Sequence, residues 1–208
     1  MSDHGSAAEV FDALAERYEE AFGQVPAQRE ALDWLTARLP RGARVLDVGS
    51  GTGRPTAEAL AAAGCAVTGI DVSREMVALA RARVPRARFE QADVRTYTPA
   101  EDGFEAVCSF FPLLMMDQPE VAAALGRMAS WVAPGGYFVM ATVPGDIRNL
   151  DIEWMGHRVT VSSLSTEDHL TTLAAAGLEV LDHHTRVFHP QGGLADPEEH
   201  LFCFARRP

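Results

Sequence analysis

Lysine does not occur in this chain: all 18 of its basic residues are arginine. Schiff-base chemistry, pyridoxal-phosphate enzymes and ordinary P-loop nucleotide hydrolysis each depend on a lysine, so these classes are disfavoured. Cysteine is scarce. The three present, Cys65, Cys108 and Cys203, are far apart in apolar, strand-like contexts, which speaks against a disulfide framework or a cysteine-based zinc site and for buried, inert thiols. No apolar run approaches the length of a membrane span. The opening MSDHGSAAEVFD has no basic flank ahead of an apolar core, so no signal peptide is expected and a cytoplasmic location follows by default. Basic charge is outnumbered, giving a net charge of −11. The arginines are scattered rather than striped, so neither nucleic acid nor a membrane is an expected partner. His183, His184 and His189 lie close together, but strand alternation sends neighbours to opposite faces, and no metal site is expected.

What is there suits one globular domain: 208 residues, 47% apolar and 23% charged, with no repeat, low-complexity tract or obvious linker. An amphipathic helix is predicted from about Ala7 to Phe22, with Phe11, Leu14 and Tyr18 on one face. A second runs from near Pro26 and is broken by Pro40, Arg41 and Gly42. Strands and helices then alternate. Strands are predicted at 44–48, 66–70, 88–91, 104–109, 137–143, 178–188 and 201–205. HRVTVSS, His157 to Ser163, reads as a half-exposed strand or hairpin. Helices are predicted at 55–63, 74–83, 117–129 and 165–177, with Ser73 as a cap and capping boxes at Asp117/Glu120 and Ser165/Asp168. Such alternation implies a mostly parallel sheet with helices on both faces and a ligand site at the carboxyl ends of the central strands.

The loop at that place is VLDVGSGTGR, Val45 to Arg54. Glycines leave no Cβ in the way of a ligand and admit positive φ, so Gly49, Gly51 and Gly53 would bring backbone N–H groups up to something bound. A nicotinamide dinucleotide is one reading. Its fingerprint is GxGxxG, however, and here position 54 is arginine and the third glycine comes one place early. Asp71, at the end of VTGID, suits two ribose hydroxyls and would repel a 2′-phosphate, so NAD survives and NADP does not. A third acid, Asp93 in FEQADV, then joins Asp47 and Asp71 at adjoining strand ends. Phosphates would be poorly served by three carboxylates. A ligand carrying a sulfonium and an ammonium would be well served, and S-adenosylmethionine is such a ligand.

VLDVGSGTGR, VTGIDVS, FEQADV, FEAVCSFF and APGGYFVM stand in the order and spacing of the class I S-adenosylmethionine-dependent methyltransferases, which the chain resembles from about Arg44 to Val143. The N-terminal FDALAERYEEAFG resembles the start of many small-molecule members. The resemblance implies an α/β, Rossmann-like fold with a seven-stranded, mostly parallel sheet in the order 3-2-1-4-5-7-6, the last strand antiparallel. It implies S-adenosyl-L-methionine as cofactor. Gly49, Ser50 and Gly51 would run along its methionine part, with Asp47 orienting the amino group. Asp71 would hold the ribose, with Val72 beside it, and Met76 would pack on the adenine. Asp93 and the N–H of Val94 would meet the adenine edge, Ser109 and Phe110 would lie near the sulfonium, and Tyr18 would cover the cofactor.

Methyl transfer is an in-line displacement with a good leaving group, so alignment is the protein's main task; proximity alone can remove ~7–11 kcal/mol of barrier. The chain is too short for a large recognition domain, which points to a small-molecule acceptor. SFFPLLMMD, Ser109 to Asp117, offers an apolar wall, with Phe111, Leu114 and Met115 as acceptor contacts. Many members of the family carry Asn and His near Phe110 and Leu114, and this chain departs from them there. NLDIEWMGHRVTVSS sits where the family often inserts a substrate cover, making Trp154, Met155 and His157 further candidates and His157 the candidate base. The single domain of 1–208 then divides into a helical cover (1–42), a cofactor-binding core (43–143), a substrate cover (144–165) and a C-terminal helix and strands (166–208). A cofactor-binding or non-methylating protein on the same fold is the alternative reading, with an NAD oxidoreductase behind it. Nothing in the residues gives the oligomeric state.

Overall fold

Short strands alternating with helices, three of which start on side-chain caps, set the architecture of the computed structural model, which describes residues 5–14, 16–23, 25–100, 103–190 and 196–208. Strands β1 (Arg44–Val48), β2 (Ala66–Asp71), β3 (Arg88–Gln91), β4 (Phe104–Phe110) and β5 (Val132–Thr142) run parallel to their neighbours, with β8 (Glu179–Phe188) and β9 (Glu198–Arg206) beyond them. The seven-stranded order is β3-β2-β1-β4-β5-β9-β8, and β9 is antiparallel to both of its partners. This is the expected sheet, with the last strand of the chain reversed. A separate antiparallel pair, β6 (Ile147–Trp154) and β7 (His157–Ser163), is inserted before the final helix.

Side-chain alternation splits the core across the sheet. Val45, Val67, Ala106, Cys108 and Val139 face one layer with helices α3 (Pro26–Thr36), α4 (Thr56–Ala62) and α5 (Arg74–Arg83). Leu46, Ile70, Val107, Phe138 and Met140 face the other, with α6 (Gln118–Ser130) and α7 (Thr166–Ala175). Cys108 and Cys203 are buried and Cys65 partly so, all as free thiols; burial pushes the Cys203 thiol up to about 12.

The helix starts follow local chemistry. Ser73 accepts from the Met76 N–H, Ser165 from the Asp168 N–H, and Asp117 forms a complete capping box with Glu120. Each cap is worth ~1 kcal/mol. The N-terminal pattern becomes two helices, α1 (Ala7–Leu14) and α2 (Glu16–Phe22), rather than one; Ala15 lies outside the described residues. Strand β5 begins earlier than the APGG turn suggests, because that stretch bulges: the register with β4 jumps from Phe104↔Val132 to Ala106↔Tyr137. Together α1, α2 and the β6–β7 hairpin form a third apolar cluster, built on Val10, Leu14, Ala21, Met155 and Val159. No helix among the described residues is long and apolar enough to cross a membrane.

Candidate functional site

At the carboxyl ends of β1, β2 and β4 the backbone turns sharply. Gly49, Gly51 and Gly53 all have positive φ, and the N–H groups of Gly49 and Ser50 both bond to the Ile70 carbonyl at 2.8 and 3.0 Å. The Asp71 carboxylate ties this loop to the next helix. One oxygen accepts from the Gly51 N–H at 2.8 Å and the other from the Ser73 N–H at 2.9 Å. The Ser73 hydroxyl donates to Asp12 of α1 at 2.5 Å, which fastens the N-terminal helix over the same corner.

Two cavities meet here. A cleft of 220 Å³ at the strand tips is lined by Asp71, Val72, Met76, Val94, Arg95, Gly49 and Gly51. A chamber of 240 Å³ lies beside it, walled by Phe11, Phe22, Trp154, Leu114, Ile152, Ser50, Glu198 and His200. Tyr18, Gly49, Gly51, Phe110, Phe111 and Met115 line both. Phe111, on this shared wall, has φ of +66°. That conformation costs a non-glycine residue ~1–2 kcal/mol, and it is held by the Phe111 N–H bond to the Ala141 carbonyl at 2.8 Å.

Buried polar atoms gather beneath the loop. One carboxylate oxygen of Asp47 and the hydroxyls of Ser50 and Ser109 have no hydrogen-bond partner among the described residues. Burial, and secondarily the Asp71 charge, pushes the Asp47 carboxyl up to about 8. Burial also raises Asp71, against the lowering effect of the Ser73 and Gly51 N–H groups. Tyr18 is raised by burial, then by Glu198 and Asp71, so its phenol stays protonated between two carboxylates.

The Asp47 shift makes a stability prediction. In the unfolded chain this carboxyl releases its proton near ~3.9; in the folded chain it holds it to about 8. The folded form therefore binds more protons across that window. Its stabilising effect, complete below the lower value, is lost as pH rises toward the upper one. Thermal melts of the ligand-free chain from about pH 5 to about pH 8 are expected to show a falling midpoint, and Asp47→Asn is expected to flatten the slope.

The structure gathers most of the expected residues, but five depart. Asp47 lines neither cavity and is 2% exposed, buried beneath the loop. Asp93 is not brought to the cleft wall: its carboxylate takes the Arg95 N–H at 2.8 Å and the Arg95 guanidinium at 2.6–3.1 Å. These bonds hold it below the usual carboxylate range, and the arginine, also paired to Glu120, lines the cleft instead. The expected trio of acids is thus a pair, Asp47 and Asp71, with a neutralised third. Ser109 is buried under the loop rather than on a wall. Met155 and Gly156 are the two central residues of the β6–β7 turn, at φ +50° and +82°, the primed geometry that tight hairpins favour. This buries Met155 against Val10 and Leu14 and keeps it out of the chamber. His157 follows that turn and lies in a separate shallow groove with Glu9 and Arg158, so the geometry gives no support to it as a base for the chamber.

Phe11, Phe22, Ile152, Glu198 and His200 are among the chamber residues that sequence reasoning missed. A signal for the last two existed. Because β9 runs antiparallel, its first residues lie at the carboxyl ends of the parallel strands, and Glu198 and His200, two apart, share a face.

Comparison with known proteins adds an independent finding. A family model described as "Methyltransferase domain" matches residues 45–136. A dTDP-3-amino-3,6-dideoxy-alpha-D-glucopyranose N,N-dimethyltransferase of Streptomyces fradiae is 30% identical over 205 residues, covering 94% of this chain and 76% of that protein. A ubiquinone biosynthesis O-methyltransferase of Xanthomonas axonopodis pv. citri is 35% identical over 149 residues, covering 67% of this chain. The match spans 62% of the Xanthomonas protein's own length, short of two thirds. Among solved structures, the N-methyltransferase NodS of Bradyrhizobium japonicum, in complex with S-adenosyl-L-homocysteine, superposes with a TM-score of 0.73 at 19% identity, covering 98% of this chain and 100% of that one.

Proposed function

The chain belongs to the S-adenosylmethionine-dependent methyltransferase family, and from that premise we propose that it transfers the methyl group of S-adenosyl-L-methionine to a small-molecule acceptor. The observation that carries the reading is the pair of contiguous cavities, one acid-tipped and one apolar, sharing the wall formed by Gly49, Gly51, Phe110 and Phe111. The residues present fit the cofactor. A Cβ at Gly51 would meet nothing within 4 Å, so the loop leaves room for a ligand against its backbone. The partnerless Asp47 oxygen and Ser50 hydroxyl offer hydrogen bonds to an ammonium and a carboxylate. When bound, the cofactor supplies a methyl group on a sulfonium, already activated toward displacement.

The chain's own residues then bind, orient and exclude water. Asp71 holds the ribose hydroxyls with the lone pairs left over from the Gly51 and Ser73 N–H groups, and Met76 and Val94 flank the base. Asp47 faces the ammonium of the methionine part. Tyr18 spans the two cavities as a cover. The α1–α2 helices and the β6–β7 hairpin close the chamber from outside. Orientation of this kind is the main contribution required, at ~7–11 kcal/mol.

The test is incubation with methyl-labelled S-adenosylmethionine and a panel of small alcohols, phenols, amines, thiols and carboxylic acids. Label transferred to at least one acceptor is expected. Binding of the cofactor with transfer to none would favour a non-methylating role on the same fold.

A further inference from the structure

Besides the protonated phenol of Tyr18, four groups that carry or can carry charge line the apolar chamber among the described residues: Glu19, Arg54, Glu198 and His200. Glu19 is paired with Arg83, and Arg54 with Glu58 one helical turn on. Among the described residues Glu198 pairs with His200, whose Nε2 lies 3.1 Å from one carboxylate oxygen. Its second oxygen makes no hydrogen bond among the described residues. The His200 ring is 1% exposed, set between Phe188 at 5.1 Å and Phe111 at 4.3 Å between ring centroids. Its Nδ1 has no partner among the described residues. That assigns the tautomer. A proton on Nε2 donates to the carboxylate and leaves only a dry lone pair at Nδ1. A proton on Nδ1 would bury an orphan donor and turn a lone pair toward an anion.

Glu198 is therefore a carboxylate clamped by one buried N–H, with a free oxygen in a chamber whose wall is aromatic. Phe11, Tyr18, Phe22 and Trp154 contact one another at centroid distances of 5.2–6.1 Å. Ring faces carry the negative lobe of the aromatic quadrupole and attract cations. The Glu198 side chain is 24% exposed, so its free oxygen is open to an arriving counter-charge at the chamber's edge. Both features select a cation, and neither favours an anionic acceptor.

Resting on the methyl-transfer reading above, we infer that the acceptor is an amine: a small, largely apolar molecule whose protonated amino group pairs with Glu198 inside the aromatic wall, with His200 as the positioning residue for that carboxylate. The step balances. The ammonium gives one proton to the free oxygen of Glu198. The nitrogen lone pair so exposed attacks the methyl carbon, and the nitrogen–carbon bond forms as the carbon–sulfur bond breaks. The electron pair of the broken bond stays on sulfur, leaving a neutral thioether, and the positive charge passes to the methylated nitrogen. Glu198 returns its proton to solvent when the product leaves.

The experiment uses the chain saturated with S-adenosylhomocysteine and titrated with matched sets of three: 2-phenylethylamine, 2-phenylethanol and phenylacetate, and their cyclohexyl counterparts. An amine is expected to bind at least tenfold more tightly than the alcohol and acid of its set. Glu198→Gln is expected to abolish that preference with S-adenosylhomocysteine affinity unchanged, which also reports that the variant folds. His200→Ala is expected to weaken amine binding, and His200→Gln, which keeps an N–H donor, to restore part of it. The inference is overturned if no amine binds, if an alcohol or acid binds as tightly as its amine, or if Glu198→Gln leaves the preference intact. Failure of S-adenosylhomocysteine itself to bind would instead strike the underlying methyl-transfer reading.

Discussion

Asp71→Ala is expected to weaken S-adenosylmethionine binding at least tenfold, and by about a hundredfold or more where both ribose bonds are lost. Each charge-assisted bond from a ribose hydroxyl to this carboxylate is worth ~1.5–3 kcal/mol, and a factor of ten needs about 1.4 kcal/mol. The same side chain holds the Gly51 N–H at 2.8 Å and the Ser73 N–H at 2.9 Å, so alanine also loosens the glycine loop and the start of α5. Asp71→Asn separates the two effects. Its amide oxygen still accepts from one N–H, preserving most of the fold, while the charge that strengthens the ribose bonds is gone. Calorimetric titration of both variants, with thermal melts beside it, is the check. Wild-type affinity in both would remove Asp71 from the binding site.

The second large effect is expected at the loop itself. Gly49 sits at φ +72°, and a Cβ there would lie 2.2 Å from the Cβ of Pro112. Left-handed strain costs ~1–2 kcal/mol and overpacking a further ~1–3 kcal/mol. In a chain of this size each kcal/mol moves the midpoint by ~2–4 °C. Gly49→Ala should therefore melt roughly 5–15 °C below the wild type. Gly51→Ala is the contrast. Its φ of +50° brings strain, but its Cβ meets no protein atom within 4 Å and would point into space that both cavities share. It should melt within a few degrees of the wild type and still lose cofactor affinity. Equal melting losses in the two variants would contradict the assignment of Gly49 to packing and Gly51 to the ligand.

The two variants also mark what the sequence made legible. Features decided within a few residues could be read directly. The glycine loop, the Ser73 cap and the Asp117/Glu120 box depend on local backbone chemistry, and the unbroken apolar pair Val45-Leu46 announces a strand buried on both faces. What escaped depended on partners brought from afar or on the geometry of a single turn. Asp93 has its neutralising arginine only two positions on, but whether Arg95 folds back on it depends on the turn between them. Met155 reads as an apolar residue in a cover segment, and only the primed turn sends it toward α1. His157 and His200 look alike as residues. Their difference comes from topology: one follows the tip of a hairpin, and the other opens a reversed strand whose start is delivered to the site. Strand β6 escaped because its strand character comes from pairing with β7 rather than from any strong alternation of its own.

The most direct test of the central claim, that the acid-tipped cleft binds a cationic nucleoside, is calorimetric titration of the wild-type chain with S-adenosylmethionine, with NAD in parallel, near pH 7 in buffers of different ionisation enthalpy. The expected result is one saturable site per chain for S-adenosylmethionine, no comparable binding of NAD, and release of protons on binding as Asp47, raised to about 8 in the free protein, ionises opposite the incoming ammonium. Saturable binding of NAD with no heat from S-adenosylmethionine would contradict the account.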